Sequence, residues 1–216
     1  DDGTLQPIHP TPVIGMVGLV DDVSKAMGLG WRQAGDSVVL LGIPMQDQED
    51  QRLGLSGSSY QQLVCGRLAG RPPIVDLSLE RAVQALLRQA IAEGLLASSH
   101  DSSDGGTAVA LAESCMASGL GVDLSLAEPL QRLDRALFGE GGARIVVSVK
   151  SERFDDWQGL IQCHPDVPVC SLGQVVDQPR LQLEIAGQPV LDCRVQDLKH
   201  AHEDALPRRL KRGAES

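Results

Sequence analysis

The sequence predicts an α+β fold, in which a mixed, mostly antiparallel sheet has helices packed on one face. Three observations lead to this prediction. Short apolar or alternating runs that suit strands occur along the whole chain, helical runs are interspersed among them, and two late strands are joined by a tight turn. The chain has 216 residues, of which 42% are hydrophobic, so it is long enough to bury one core.

The elements of the amino-terminal half follow from apolar periodicity. Apolar, β-branched runs predict strands at 11–20 and 37–42, the second buried on both faces, with a short helical stretch between them up to residue 27. The clearest helix is 76–94, whose apolar positions recur at helical spacing (Leu79, Val83, Leu86, Leu87, Ala90 and Ile91). A second helix is predicted at 106–118, and the polar residues 46–52 should form a solvated loop.

The carboxy-terminal half alternates strands and helices. The predicted elements are a strand at 143–149, a helix at 151–163 capped by Ser151, a strand at 168–176, a hairpin of 181–185 and 189–195 that turns at Ala186 and Gly187, and a helix at 196–206. This mixture of strands and helices fits an α+β sandwich, in which a mostly antiparallel sheet has helices on one face.

The composition argues against several classes of function. Lys and Arg number 19 against 29 Asp and Glu, so the formal net charge of -10 should repel phosphate backbones and anionic lipid. Aromatic residues make up only 2%, too few for a platform that stacks single-stranded nucleic acid. The sequence shows neither a long apolar run nor a signal segment. We therefore expect a cytoplasmic protein that binds neither nucleic acid nor membranes.

One loop between the two best helices carries the residue types of a phosphate or metal site. It reads His-Asp-Ser-Ser-Asp-Gly-Gly over residues 100–106. Asp101 and Asp104 could bind Mg²⁺, while backbone N–H groups at the start of the next helix could point at a phosphate oxygen. The alternative is that Ser103 or Asp104 caps the helix and the glycines only make the turn.

The other candidate residues carry weaker signals. His200 and His202 are two positions apart, so on a helix they point in different directions and cannot share a metal. An ion pair with Arg144 would explain Glu140 as well as a ligand role would. The five cysteines form no Cys-x-x-Cys pair and are interpreted as reduced thiols, not as a disulfide frame or a zinc site.

Five segments, in order along the chain, resemble motifs of one enzyme family. They are PTPVIGMVGLVDDV around 11–23, GSSYQQLVCGRLAGRPPIVDL at 57–77, HDSSDGGTAVALAESC at 100–115, LFGEGGARIVVSV at 137–149 and VQDLKHAHEDALP at 195–207. Together they cover essentially the whole chain. The resemblance is to the carboxy-terminal region of the PurL subunit of phosphoribosylformylglycinamidine synthase, in the AIR synthetase-related (PurM-like) superfamily.

This resemblance implies a domain organisation. The family has two tandem copies of a unit made of an ATP-type domain and a carboxy-terminal partner domain. Residues 1–27 would be the tail of the second ATP-type domain and a connector, 28–207 the AIR synthetase-related carboxy-terminal domain, and 208–216 a flexible tail. The chain starts with Asp1 instead of Met, and we expect it to be part of a longer protein.

The resemblance also implies a function for the longer protein. The family acts as an ATP-dependent C–N ligase of purine synthesis. It uses ATP and Mg²⁺ to convert formylglycinamide ribonucleotide to formylglycinamidine ribonucleotide, with ammonia from glutamine. Its implied partners are the upstream domains of the same subunit, a separate glutaminase subunit and a small bridging subunit.

The resemblance implies ligand-binding residues in this chain but no catalytic residues. The family's catalytic histidines lie in segments that precede Asp1, so no catalytic residue is assigned in this chain. Related thiamine monophosphate kinases carry an Asp-x-Ser-Asp-Gly motif that helps bind Mg²⁺ and nucleotide. Asp101, Ser103, Asp104 and Gly105 match it, with Gly106 following, and Asp101 and Asp104 would be the metal ligands. Ser102 and Thr107 depart from the Val and Leu that are usual in the family.

Two other functions remain open at the level of sequence. The chain could be a packing or interface domain with no activity of its own. It could also belong to another member of the superfamily, such as selenophosphate synthetase, thiamine monophosphate kinase or aminoimidazole ribonucleotide synthetase. Its segment GSSYQQLVCGRLAGRPP differs from the corresponding segments of those enzymes.

Overall fold

A computed structural model describes residues 12–46, 52–205, 207 and 210. Seven strands and six α-helices occur in this part of the chain. The strands are β1 (Ser37–Gly42), β2 (Leu96–Asp101), β3 (Gly121–Leu126), β4 (Arg144–Val149), β5 (Val169–Val176), β6 (Arg180–Ile185) and β7 (Gln188–Arg194). The helices are α1 (Ser59–Cys65), α2 (Leu77–Ala92), α3 (Gly106–Ser118), α4 (Leu133–Phe138), α5 (Phe154–Gln162) and α6 (Val195–Glu203).

The seven strands form one sheet in the order β2-β4-β1-β5-β3-β6-β7. Among these neighbours, β3 and β6 run parallel, and the other five pairs are antiparallel. The predicted α+β class with a mixed, mostly antiparallel sheet is therefore confirmed. The predicted hairpin is β6 and β7, and its turn residues Ala186 and Gly187 have φ angles of 51° and 72°, as a tight two-residue hairpin turn requires.

The helices lie on both faces of the sheet, and this corrects the expectation that they would pack on one face. Successive side chains of a strand point to opposite faces. In β1, Val38 and Leu40 join a core with α3, α4 and α6, whereas Val39 and Leu41 join a second core with α2 and α5. The unbroken apolar run of β1 is the sequence signature of this double burial, because a strand covered on one face would alternate.

Most of the predicted elements are present near their predicted bounds. α2 begins after Asp76, whose carboxylate accepts hydrogen bonds from the N–H groups of Ser78 and Leu79. Its buried residues Val83, Leu86 and Ala90 belong to the predicted apolar stripe. No helix in the described part of the chain combines the length and apolar character that crossing a membrane needs.

Four elements of the structure were not predicted from the sequence: α1, β2, β3 and α4. β2 reads Leu-Ala-Ser-Ser-His-Asp, so its composition is too polar to stand out as a strand. It is placed at the edge of the sheet by pairing with β4, and the buried hydroxyls of Ser98 and Ser148 lie 2.6 Å apart across that pair. α1 and α4 have only 7 and 6 residues, too few for a helical period to be recognised.

The predicted strand at 11–20 is wrong for the residues that the structure describes. Residues 12–20 form neither helix nor strand, and their apolar side chains are exposed. A β-branched apolar run becomes a strand only where a neighbouring strand pairs with it, and the seven-stranded sheet offers it none. The short helical stretch that follows is a 3₁₀-helix, Val23–Lys25. Residues 1–11, 47–51, 206, 208–209 and 211–216, which include parts of the predicted loop and tails and the last residue of the predicted final helix, lie outside the described residues.

The helix predicted from Ser151 begins differently. Residues Ser151–Arg153 form a 3₁₀ turn before α5, and Ser151 is not its cap. The N–H group of Ser151 instead donates to Oδ1 of Asp36, 3.2 Å away. Asp36 is 2% exposed and its Oδ2 has no hydrogen-bond partner. Burial raises the pKa of this carboxyl above its usual range, although the Ser151 hydrogen bond opposes the shift.

Relative to wild type, we expect Asp36→Asn to stabilise the chain progressively as the pH rises above about 4, the usual range of an aspartate carboxyl. A raised pKa in the folded state means that the protonated form of Asp36 favours folding at low pH, and that this contribution is lost as the carboxyl ionises. Asn retains an oxygen for Ser151 and never ionises. Urea unfolding at several pH values measures the difference, and Asp123→Asn, on the exposed side of β3, is the matched control. A difference independent of pH would contradict the prediction.

Candidate functional site

The loop singled out by the sequence connects β2 to α3. Asp101 ends β2 and Gly106 begins α3, so the four residues between them make a tight connection at the edge of the sheet. The N–H group of Ser102 donates to the carbonyl of Arg144 at 2.9 Å, which holds the loop against β4. Ser102 and Thr107 are buried and their hydroxyls lie 3.0 Å apart. The two departures from the family pattern therefore pair with each other.

The two glycines of the loop are needed by its backbone. Gly105 and Gly106 have φ angles of 80° and 69°, in the left-handed region that side chains other than glycine rarely adopt. A Cβ on Gly106 would lie 2.8 Å from the Leu137 carbonyl oxygen and 2.9 Å from that of Gly139. The start of α3 thus packs directly on the backbone at the end of α4.

The start of α3 is capped from another part of the chain. The predicted alternative, a cap by Ser103 or Asp104, is not observed, because the N-cap residue is Gly105 and α3 has no side-chain cap. The N–H group of Gly105 instead donates to Oε1 of Glu140 at 2.8 Å. The same oxygen accepts the N–H group of Ser59 at 2.8 Å. One carboxylate therefore joins the starts of α1 and α3.

Two further contacts bring neighbouring motifs to this junction. Ser58 caps α1 by accepting the N–H group of Gln61 at 3.1 Å. The rings of Tyr60 and Phe138 stack with their centroids 5.0 Å apart. Three of the motifs noted in the sequence, at 57–60, 100–106 and 137–142, thus meet in one place.

Asp101 is held by its neighbours on the loop. The Ser103 hydroxyl donates to Oδ2 of Asp101, and Oδ1 lies 3.6 Å from Nδ1 of His100. The Ser103 hydrogen bond, more than the charge of His100, keeps the pKa of Asp101 below its usual range. The carboxylate is 72% exposed and faces solvent in its ionised form at neutral pH.

His100 links the loop to the body of α3. Its Nε2 lies 2.7 Å from Oε2 of Glu113, and its side chain is only 14% exposed. The imidazole therefore sits between two carboxylates, one on the loop and one on the helix. The contact between His100 and Glu113 has no signal in the sequence, since a separation of 13 positions matches no helical or strand period.

Asp104 is exposed and makes no hydrogen bond in the described part of the chain. Together, Asp101 and Asp104 offer two carboxylates at the surface of one loop. Mg²⁺ usually takes one or two protein carboxylates and completes its shell with water and phosphate oxygens. The two residues fit that pattern but not an all-protein cage, because the described residues hold no group of three or more His, Cys, Asp or Glu that could bind a metal.

Comparison with known proteins identifies the family of the chain. The family model described as AIR synthase related protein, C-terminal domain, matches residues 33–186. The chain is 59% identical over 212 residues to the phosphoribosylformylglycinamidine synthase subunit PurL of Synechococcus sp. (strain WH7803), covering 97% of this chain and 28% of that protein. It is 57% identical over 216 residues to the corresponding subunit of Parasynechococcus marenigrum (strain WH8102), covering 100% and 28%.

The fold is similar to that of solved structures of T. maritima PurL. The structure complexed with FGAR matches with a TM-score of 0.66 and 19% identity, covering 82% of this chain and 30% of that chain. The structure complexed with ATP matches with a TM-score of 0.61 and 16% identity, covering 82% and 27%. The structure of PurLQS from Thermotoga maritima gives a TM-score of 0.59 and 16% identity, covering 82% and 28%. The chain spans little more than a quarter of the length of the curated relatives it matches.

Proposed function

The chain belongs to the family of AIR synthase related proteins, C-terminal domain, and on that premise we propose that it is this domain of a phosphoribosylformylglycinamidine synthase. The complete enzyme would convert formylglycinamide ribonucleotide, ATP and ammonia derived from glutamine to formylglycinamidine ribonucleotide. It would thus be an ATP-dependent C–N ligase. The observation that carries the proposal is the 59% identity to a PurL subunit over 97% of the chain.

The loop at 101–106 is the proposed contact with Mg²⁺ and nucleotide phosphate. Asp101 and Asp104 would supply carboxylate oxygens to the ion, which would balance charge on the phosphate. Ser103 would fix the orientation of Asp101, as its hydrogen bond does here. Gly105 and Gly106 would set the course of the loop backbone beside the ligand, because their left-handed φ angles allow the turn into α3. Complexes of the related T. maritima PurL with ATP, ADP and AMPPCP support a nucleotide as the ligand of the complete enzyme.

The proposed domain organisation explains the exposed amino-terminal segment. Residues 1–27 would belong to the preceding ATP-type domain and its connector, 28–207 to the domain described here, and 208–216 to a tail. The exposed apolar side chains between Val13 and Val23 would then be covered by upstream domains of the same subunit. A glutaminase subunit and a small bridging subunit are the proposed further partners, by similarity to the assembly PurLQS.

One observation favours a second candidate function, that of a packing or interface domain with no catalytic activity of its own. Apolar residues from α1 to the first residue of α2 are exposed, among them Leu63 at 85% and Leu77 at 74%. An isolated chain with such a surface would act mainly through contacts with the rest of its protein. Membership of a different superfamily enzyme is disfavoured by the identity to PurL subunits along nearly the whole chain.

We expect the purified 216-residue chain to give no formylglycinamidine ribonucleotide above a no-protein control when supplied with formylglycinamide ribonucleotide, ATP, Mg²⁺ and ammonia. The longer polypeptide that contains it should turn the substrate over. The reason is that the proposed catalytic histidines lie outside this chain. Product is measured by chromatography. A longer polypeptide that is folded but inactive would overturn the proposed function, and turnover by the chain alone would overturn the assignment of catalysis to other domains.

A further inference from the structure

A cavity lies beside Glu140, the residue that joins the starts of α1 and α3. It has a volume of about 370 Å³ and opens between the turn that precedes α1 and the turn that follows it. One wall is apolar and consists of Leu68, Pro72 and Pro73. The polar side chains on its lining are Ser56 and Glu140. The volume is near the lower end of the range for small-molecule sites, roughly 300 to 1,000 Å³.

Glu140 is fixed at this cavity through one carboxylate oxygen, and its other oxygen is free to accept a hydrogen bond. Its Oε1 accepts the two N–H groups of Ser59 and Gly105, each at 2.8 Å. Its Oε2 makes no hydrogen bond within the described residues, and it is not buried. Oε2 is therefore an acceptor in a fixed position that solvent or a ligand can reach. An ionised carboxylate only accepts hydrogen bonds, so this position requires a donor.

The Ser56 hydroxyl is the second unpaired group on the lining. It makes no hydrogen bond within the described residues and, like Oε2 of Glu140, it is not buried. Gly70 lies directly against it, because a Cβ at that position would come within 2.3 Å of the hydroxyl oxygen. The absence of a side chain at position 70 keeps the hydroxyl uncovered. The cavity thus presents one acceptor and one group that both donates and accepts.

We propose that this cavity binds a neutral sugar through adjacent hydroxyl groups. A hydroxyl donates to Oε2 of Glu140, its neighbour exchanges a hydrogen bond with Ser56, and the apolar face of the ring lies against Leu68 and the two prolines. The carboxylate repels phosphate and other anions. One of its oxygens already accepts two N–H groups, which leaves the other as a single acceptor for a hydroxyl donor. None of the residues that line the cavity belongs to the 101–106 loop, although Glu140 accepts the N–H group of Gly105, and the proposal does not rest on the proposed function.

The test is a titration of the ¹⁵N-labelled chain with methyl β-D-ribofuranoside and, separately, with methyl α-D-glucopyranoside. The amides of Ser59 and Gly105 report directly, because both donate to the carboxylate that the sugar would contact. We expect saturable shifts of these amides with at least one sugar and a Kd on the order of 1 to 10 mM, typical of so small a ligand. Saturation by one sugar alone identifies the ring as pentose or hexose.

Two substitutions separate binding from folding. Glu140→Gln keeps an oxygen for the two N–H groups but replaces the free acceptor by an NH₂ donor, and should weaken sugar binding by about tenfold. Ser56→Ala removes a hydroxyl that has no partner, so the Tm should not change while binding weakens. Glu128→Gln removes the same charge at an exposed position and should bind like the unaltered chain. The absence of saturable shifts with both sugars, or saturation by ethylammonium chloride instead, would overturn the proposal.

Discussion

Gly106→Ala should destabilise the chain by about 3 kcal/mol, because a methyl group at this position is opposed by both backbone strain and collision. A left-handed conformation costs a residue other than glycine roughly 1 to 2 kcal/mol. The new Cβ would in addition meet Leu137 and Phe138 at 2.8 Å, and the atoms it meets belong to the backbone. Backbone atoms cannot avoid the new methyl group by changing rotamer as a flexible side chain can, so α3 and α4 would have to move apart. Urea unfolding followed by circular dichroism measures the loss.

Gly119→Ala is the matched control for this substitution. Gly119 ends the same helix with a φ angle of 78°, but a Cβ there would have no atom within 4 Å. It should therefore cost only the strain of the left-handed conformation, about 1 kcal/mol. Equal losses for the two variants would contradict the close packing of α3 on α4. A larger loss for Gly119→Ala would contradict the account of both glycines.

The sequence predicted the fold class because its strongest patterns are those that burial imposes. The unbroken apolar run of β1 and the helical stripe of α2 both follow from facing the core, and both elements lie where they were expected. The sheet faces were predicted less well. The unbroken apolar run of β1 indicated burial on both sides, but it carries no information about which helices supply each covering layer. Residues 12–20 show the converse case, an apolar run without a neighbouring strand.

The candidate site was predicted in part for a similar reason. Asp101, Ser103 and Asp104 lie on one loop, so their proximity was evident from the sequence. The junction at Glu140 was not evident, because its partners Ser59 and Gly105 contribute only backbone N–H groups. Every residue except proline has such a group, so no residue type marks the contact. The glycines that flank Glu140 are the only local signal, and they indicate close packing without naming the partner.

This junction changes what a substitution in the loop is expected to do. Had Asp104 been the cap of α3, removing its charge would have affected the helix. The N–H group of Gly105 is satisfied by Glu140, and Asp104 makes no hydrogen bond in the described part of the chain. The charge of Asp104 is therefore available for a ligand. The same reasoning does not hold for Asp101, whose carboxylate is hydrogen bonded to Ser103 and contributes to the shape of the loop.

Asp104→Asn should leave the Tm of the chain within about two degrees of the unaltered protein and weaken Mg²⁺-dependent nucleotide binding by the longer polypeptide by at least about tenfold. An exposed side chain without partners contributes little to folding. A carboxylate that binds a metal directly contributes more, since loss of even outer-shell partners of metals commonly costs ~10- to 100-fold in affinity. Calorimetric titration of AMPPCP with and without Mg²⁺ measures the second effect.

The control for Asp104→Asn is Asp123→Asn, which removes one exposed charge on β3, away from the loop. It should change neither the Tm nor nucleotide binding. The two outcomes for Asp104 separate the two interpretations of the loop. Retained Tm with weakened binding only in the presence of Mg²⁺ supports a ligand role through the ion. A lowered Tm with unchanged binding would mean that the aspartate serves the fold, and the proposal that this loop binds Mg²⁺ and phosphate would then be wrong.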